Sequence, residues 1–459
     1  MTSNREKVSF RTLGCRLNQY DTESIRTLLE ASGRYEAVRG EADVCVVNTC
    51  SVTARADASA RKAIRRIHAE NPEARIVVTG CYAQRAPEEL SGLPGVSLVL
   101  GAADRGRVVE ELERTVRGRA ARVAVAPIAE ARKFLEVPIS EMRERRRAFV
   151  KVQEGCNESC SFCIIPKTRG VSRSRDPDAV LAQVRRLVEG GYPEIVVTGV
   201  HAGDYGLDLA ARAPSSLAHG SPIAGAGAGG ARRPLVDLIE RILAVPGLER
   251  FRLSSIEPAS VGDDLVSLMA GEEKFARHFH IPMQSANDGV LDRMRRRYTA
   301  DGFRRLVGGI AERVPDCGIG TDVICGFPGE SDAAFQDTFD ALVELPVTYI
   351  HPFTYSPRPG SESAGWKDDV PAEVKKRRVG ALKRLSRDKG RAFRERHVGQ
   401  AARVLPEGPE GVGWTDNYIR VEVAGGGAFA GVVPVMLAEL TADGMRGTPV
   451  TRGSSSPDP

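Results

Sequence analysis

The sequence predicts an α/β protein in three parts: an N-terminal parallel α/β domain, a partial (β/α)6 barrel and a small C-terminal β-barrel. Three observations predict it. Apolar strand runs alternate with helical periods through residues 7–118. The same rhythm restarts at Ala148 and runs longer, and short strands with Gly-rich turns end the chain. Such alternation argues for parallel strands with helices on the sheet faces.

In the first part, KVSFRTLG (7–14), ADVCVVNT (42–49), ARIVVTG (74–80) and VSLVLG (96–101) read as strands. Helical periods fit Asn18 to Ala31 and Arg55 to Ala69, with a charged helix from about Asp104. This gives a domain over 6–118. Residues 119–146 are rich in Arg, Ala and Glu with a poor period, and read as a linker.

The second part, 147–372, carries six strand candidates: AFVKVQ (148–153), EIVVTGV (194–200), RFRLSS (250–255), HFHIPMQ (278–284), GIGTDVICG (318–326) and TYIHPF (348–353). Helices fit Asp178 to Glu189, Leu235 to Ala244, Asp263 to Met269, Gly302 to Glu312 and Asp332 to Glu344. Six units fall short of the eight that close a full barrel. Residues 210–233 are low-complexity Gly/Ala/Ser/Pro and read as a flexible surface insertion. In the third part, 373–450, a basic amphipathic helix spanning about 371–396 leads into QAARVLPEG (400–408), NYIRVEVAG (417–425) and GVVPVMLAEL (431–440), which fit a small barrel. Residues 451–459 read as a disordered tail.

Composition narrows the function. Sixty-five Lys+Arg against 60 Asp+Glu leave +5, which excludes a polyanionic chain and permits local basic patches. No stretch has the roughly 18 apolar residues of a membrane span, and the polar start MTSNREKVSF has no apolar targeting core. A cytoplasmic protein is expected, with reduced thiols. Its nine cysteines are then ligands, nucleophiles or core residues.

The sharpest motif is Cys156-Asn-Glu-Ser-Cys160-Ser-Phe-Cys163 after the first barrel strand. Three thiolates within eight residues can wrap one face of a soft metal or cluster. A zinc site usually takes a fourth ligand, and none follows nearby; a cubane on three cysteines keeps one iron open. The second signal is dispersed. Cys15, Cys50 and Cys81 each sit just past a strand end, 35 and 31 residues apart, one βαβ unit each. Parallel strands put all three on one sheet edge, where such sheets bind ligands. Cys45, Cys317 and Cys325 read as packing residues.

CxxxCxxC after the first barrel strand resembles the radical S-adenosylmethionine (SAM) superfamily. The second triad and the C-terminal barrel narrow this to a resemblance to the methylthiotransferases, over about residues 7–450. The matching strings are Thr12-Leu-Gly-Cys-Arg-Leu-Asn-Gln-Tyr20, Asn48-Thr-Cys-Ser-Val-Thr53, Gly80-Cys-Tyr-Ala-Gln84 and Gly155-Cys-Asn-Glu-Ser-Cys-Ser-Phe-Cys-Ile-Ile-Pro166. The first two look like the branch acting on threonylcarbamoyladenosine beside the tRNA anticodon, at position 37. The isopentenyladenosine branch tends to carry Tyr-Gly-Cys-Gln-Met-Asn, and the ribosomal-protein aspartate branch Leu-Gly-Cys-Pro-Lys-Asn. The resemblance implies methylthiolation of carbon 2 of the base, one SAM giving the methyl and a second the radical. It implies two [4Fe-4S] clusters, one on Cys15, Cys50 and Cys81 and one on Cys156, Cys160 and Cys163, the latter chelating SAM. It also implies a TRAM-like C-terminal module, an external electron donor and a sulfur source. A monomer with no membrane contact is expected. The rival from another class is a zinc-stapled RNA-binding protein without catalysis.

Expected SAM contacts are Gly199 and His201 after the second barrel strand, Ser255 and Glu257 after the third, and Asp322 and Gly326 on the fifth. RNA contact is expected to be electrostatic first. Candidates are Arg169, Arg173 and Arg175; Arg295, Arg296 and Arg297 beside Arg293; Arg61, Lys62, Arg65 and Arg66; and Lys375 to Arg378. Tyr418 is a candidate to stack a base.

Overall fold

The computed structural model describes residues 5–143, 146–210, 233–408, 410–425, 429 and 431–450. Nearly all of the expected insertion and the whole expected tail lie outside the described residues.

The N-terminal sheet has six parallel strands: β1 (Glu6–Thr12), β2 (Tyr35–Ala37), β3 (Val44–Thr49), β4 (Arg75–Gly80), β5 (Val96–Leu100) and β6 (Arg122–Ala124), ordered β2-β1-β3-β4-β5-β6. β3 and β4 are buried along their whole length. Both faces are covered, so their apolar residues divide by parity. Val44 and Val46 pack with Ile25 and Leu29 of helix Arg16–Ala31 and with Val108 and Leu112, whereas Cys45 and Val47 pack with Ala60 and Ile64 of helix Ala54–Glu70. Thr53 caps that second helix, accepting the Ala56 amide at 3.1 Å. β6 falls within the stretch expected to be a linker. It is the edge strand, mostly exposed, which explains its poor period.

The barrel strands are β7 (Arg147–Glu154), β9 (Glu194–Gly199), β10 (Arg250–Leu253), β11 (His278–His280), β12 (Gly318–Cys325) and β13 (Tyr349–Thr354), with a two-residue strand β8 (Arg173–Ser174) antiparallel on β7. Parallel pairing runs β7-β9-β10 and β11-β12-β13. Isolated parallel bridges, Phe251 to Phe275 and Ser255 to His280, join the halves. The result is six parallel strands side by side, packed outside by helices Pro177–Glu189, Pro234–Leu243, Asp263–Gly271, Ala300–Arg313 and Asp332–Glu344.

Helix Ala372–Glu395 leads to a closed five-stranded barrel of β14 (Ala401–Glu407), β15 (Val412–Thr415), β16 (Arg420–Val423), β17 (Val433–Leu440) and β18 (Met445–Pro449), ordered β14-β15-β16-β18-β17. Its β15–β16 turn is docked on the large barrel. Arg250 and Arg252, at most 4% exposed, ion-pair with Glu194 and donate to the carbonyls of Arg403, Trp414, Thr415 and Asp416. Tyr418, at φ 71°, stacks between His278 (4.3 Å) and Trp414 (4.6 Å), and its hydroxyl accepts from Arg16 at 2.9 Å. Both ring neighbours are protein, so Tyr418 is a domain-junction residue and not a base-stacking platform.

No helix among the described residues is long and apolar enough to cross a membrane.

Candidate active site

The first triad forms where β1, β3 and β4 end on one edge. Cys15 is the N-cap of helix Arg16–Ala31, Cys50 follows β3, and Cys81 opens helix Cys81–Arg85. Two glycines let these loops meet. Gly14 (φ +100°) lies so close to Cys50 that a Cβ would sit 2.6 Å from the Cys50 Cβ. Gly80 (φ +96°) would place a Cβ 2.3 Å from the Thr49 carbonyl oxygen. Only glycine takes both the conformation and the contact. Asn18, fully buried, ties the loops together by donating to the carbonyls of Leu13 (2.7 Å) and Thr49 (3.1 Å).

The second triad follows β7. The Cys156 sulfur accepts the Glu158 amide and the Cys163 sulfur the Ile165 amide, both at 3.4 Å, while Cys160 accepts from Arg296 at 3.2 Å. Burial pushes the Cys156 and Cys163 thiols up to about 12, the amides opposing it. Burial and then the neighbouring Cys81 take Cys50 to a similar value. Such thiols become thiolates when a metal centre replaces the proton.

The donor set also selects the kind of centre. Two thiolates on one zinc ion lie about 3.8 Å apart, as a Zn–S bond of about 2.3 Å in a tetrahedron requires. Among the described residues, the His/Cys/Asp/Glu group with all donor atoms within 4.8 Å of one another is His280, Asp322 and His351. Neither sulfur triad closes to that spacing. Three N–H-supported sulfurs set wider than a single ion allows fit a cluster, whose thiolates bind separate irons.

The second triad opens onto a cavity of about 360 Å³, within the range of about 300–1,000 Å³ of ligand sites. Cys156, Cys160 and Cys163 line it, together with Val52 and Thr53, two and three residues after Cys50; Cys15, Cys50 and Cys81 do not. Of the expected SAM contacts, His201, Glu257 and Asp322 line it. Gly199 ends β9 one residue before Val200, which does so as well. Ser255 is exposed and outside the lining. Gly326 is also outside it. The Lys375 side chain covers it, 2.3 Å from where a Cβ would be, and its amide donates to Glu330. Asp322 meets His280 (2.9 Å) and His351 (3.4 Å). Burial alone would raise its pKa, but the hydrogen bonds from the two histidines overcome it and hold the carboxyl at about 2.

The expected RNA arginines divide. Arg169, Arg173 and Arg175 are buried, at most 4% exposed, and cannot face a nucleic acid. Arg175 pairs with Glu136 and Gln183, and Arg173 donates to the carbonyls of Arg169, Val171 and Ala131. Arg169 donates to Asn18, Asp21, Glu154 and the Cys81 sulfur. Arg296 faces the cavity, ion-paired with Glu257. Lys375 and Arg378 are buried against Asp368 and Glu330. Arg295 and Arg297 are exposed, as are Lys62 and Arg65. The sequence reading passed over Thr53, Gln284 and Ser356, which also line the cavity. Gln284 carries a structural mark, φ 60° in a non-glycine residue, that no sequence pattern shows.

Comparison with known proteins follows the same lines. Residues 7–101 match the family described as Uncharacterized protein family UPF0004, and residues 150–342 the Radical SAM superfamily. The chain is 37% identical over 428 residues to the threonylcarbamoyladenosine tRNA methylthiotransferase MtaB of Bacillus subtilis, covering 91% of this chain and 90% of that protein. It is 38% identical over 421 residues to the protein of the same name from Aquifex aeolicus, covering 91% and 97%. Among solved structures, the radical S-adenosylmethionine methyltransferase TsrM of Kitasatospora setae, with cobalamin and a [4Fe-4S] cluster bound, aligns with TM-score 0.54 at 16% identity, covering 78% of this chain and 77% of that one. At that identity the likeness concerns the fold.

Proposed function

Since the chain belongs to the radical SAM family of threonylcarbamoyladenosine tRNA methylthiotransferases, we propose that the cavity beside Cys156, Cys160 and Cys163 is where the modified adenosine and SAM meet. The enzyme is a transferase that uses SAM and [4Fe-4S] clusters and methylthiolates threonylcarbamoyladenosine in tRNA. The observation carrying the site assignment is that one cavity is lined both by Cys156, Cys160 and Cys163 and by Val52 and Thr53 of the loop that follows Cys50.

When bound, a cluster on Cys156, Cys160 and Cys163 supplies with SAM the radical that an aryl C–H demands, and one on Cys15, Cys50 and Cys81 supplies the site that carries the sulfur. The chain's own residues position, neutralise and exclude water. Arg296 neutralises Cys160 and holds Glu257 at the cavity, where its carboxylate would be available to a SAM hydroxyl. His201 and Asp322 give the cavity its polar contacts. Phe162, Ile164, Ile324 and Phe353 make most of the remaining wall apolar, which keeps water from a reactive intermediate. Arg295 and Arg297, exposed near the Cys160 loop, are placed to meet phosphates of the tRNA.

The test is the nucleoside profile of tRNA from a strain lacking the gene. The methylthio form of threonylcarbamoyladenosine should disappear; its persistence overturns the assignment. With purified protein, Cys156→Ala should abolish SAM cleavage. Cys50→Ala should leave SAM cleavage intact but stop methylthio transfer, and continued transfer would refute the role given to the first triad.

A further inference from the structure

We infer that Arg169, a residue of the barrel domain, completes the metal site of the N-terminal domain and sets the reduction potential of the centre held there. This rests on the assignment of Cys15, Cys50 and Cys81 to a cluster.

Arg169 ends the short helix Ile165–Arg169 that starts two residues after Cys163, so it is fixed to the second triad's loop. Its Nε donates to the Cys81 sulfur at 3.3 Å. One terminal nitrogen donates to Asn18 at 2.6 Å, and Asn18 in turn holds the carbonyls of Leu13 and Thr49, just ahead of Cys15 and Cys50. One guanidinium thus touches Cys81 directly and the other two cysteine loops through a single asparagine. A planar fork of donors can do this and an ammonium cannot.

Charge points the same way. The other terminal nitrogen meets Asp21 (3.0 Å) and Glu154 (2.7 Å). These carboxylates also take Arg105 and Lys151. All five side chains are at most 5% exposed. Three cations against two carboxylates leave one buried positive charge without a carboxylate, and Arg173, buried beside them and bonded to carbonyls, adds another. The neighbouring polar group that can balance this excess is the sulfur triad, when that triad is anionic. A buried cation beside a metal centre favours its reduced, more negative state, so loss of the cation moves the potential downward.

The test uses the full chain in a background of Cys156→Ala, Cys160→Ala and Cys163→Ala, so that iron and spectra report the first triad alone. After anaerobic reconstitution, iron per chain and the midpoint potential by EPR-monitored titration are measured. Arg169→Gln should shift the midpoint to more negative values and lower the iron content at least twofold. Arg169→Lys keeps the charge and should restore a midpoint close to that of the parent. Equal iron and an unchanged midpoint in Arg169→Gln overturn the inference, as do identical midpoints for the Lys and Gln variants. Where Arg169→Gln melts earlier than its parent, the Lys variant decides, since it keeps the buried charge while losing the same fork of contacts. Cys81→Ala in the same background separates the two failures: if it retains all the iron, the cluster assignment itself is wrong.

Discussion

Arg296 donates to the sulfur of Cys160 at 3.2 Å and ion-pairs with Glu257 from the same guanidinium. It is also locked as a cation, because Tyr298, Glu257 and Cys160 outweigh the cost of its burial. One side chain therefore joins a cluster ligand to a residue assigned to SAM. Arg296→Ala strands both partners. A hydrogen bond to a charged group contributes about 1.5–3 kcal/mol, or roughly 10–100-fold. We predict that loss in 5′-deoxyadenosine formed per minute at fixed SAM, with iron content unchanged. An unchanged rate would remove Arg296 from the site.

Gly80→Ala is predicted to damage the first triad selectively. The position has φ 96° and ψ −165°, where a residue with a Cβ is strained by about 1–3 kcal/mol. The added methyl would also push on the Thr49 carbonyl, one residue before Cys50. Iron should fall toward the roughly four atoms of a single cluster, while SAM cleavage persists. Full iron content would show that the loop yields without cost.

Glu194→Gln tests the docking of the C-terminal barrel. Burial alone would raise the Glu194 pKa, but Arg250 and then Arg252 hold it at about 2 against an ordinary 4.5. A depressed carboxylate stabilises fully above its unfolded pKa, and this is lost as pH falls toward the folded value. The shift corresponds to about 3 kcal/mol. The melting-temperature gap between wild type and variant should be constant above about pH 5 and narrow below it. A gap independent of pH down to about 3 would assign the stabilisation to something other than this charge.

Tyr418→Phe should leave tRNA affinity within about twofold while lowering stability by about 1 kcal/mol, the worth of the lost bond to Arg16. Tyr418→Ala, which empties the stack between His278 and Trp414, should cost about 3 kcal/mol. Filter binding and thermal melting check both. A drop in tRNA affinity for the Phe variant would return Tyr418 to the RNA-contacting residues.

The cysteine triads were legible for different reasons: one is three residues in an eight-residue loop, and the other is three strand ends that parallel pairing must align. Most barrel strands were legible because both faces are buried, so apolar runs are continuous. The arginines were not. A basic residue reads alike on a solvated face and inside an ion pair, and what buries Arg169 is Asp21, 148 positions away. The ring that covers one face of Tyr418 is 140 positions away, His278, and the donor to its hydroxyl is further still, Arg16, 402 positions off. Gly326 fitted a ligand-facing turn until the distant Lys375 was seen to cover it. β6 escaped notice because an exposed edge strand of three residues leaves no alternation to read.

The contact between Arg169 and Cys81 spans 88 residues of sequence, and this sets an order in time. Chains emerge from the ribosome at about 5–20 residues per second, so Arg169 appears roughly 4–18 s after Cys81 has left the tunnel's entrance. By then β1, β3 and β4 have all been made, so the three cysteine loops can already meet with nothing from the barrel to hold them. A nascent chain is then most open to oxidation or to the wrong metal at the very site that its later half will close.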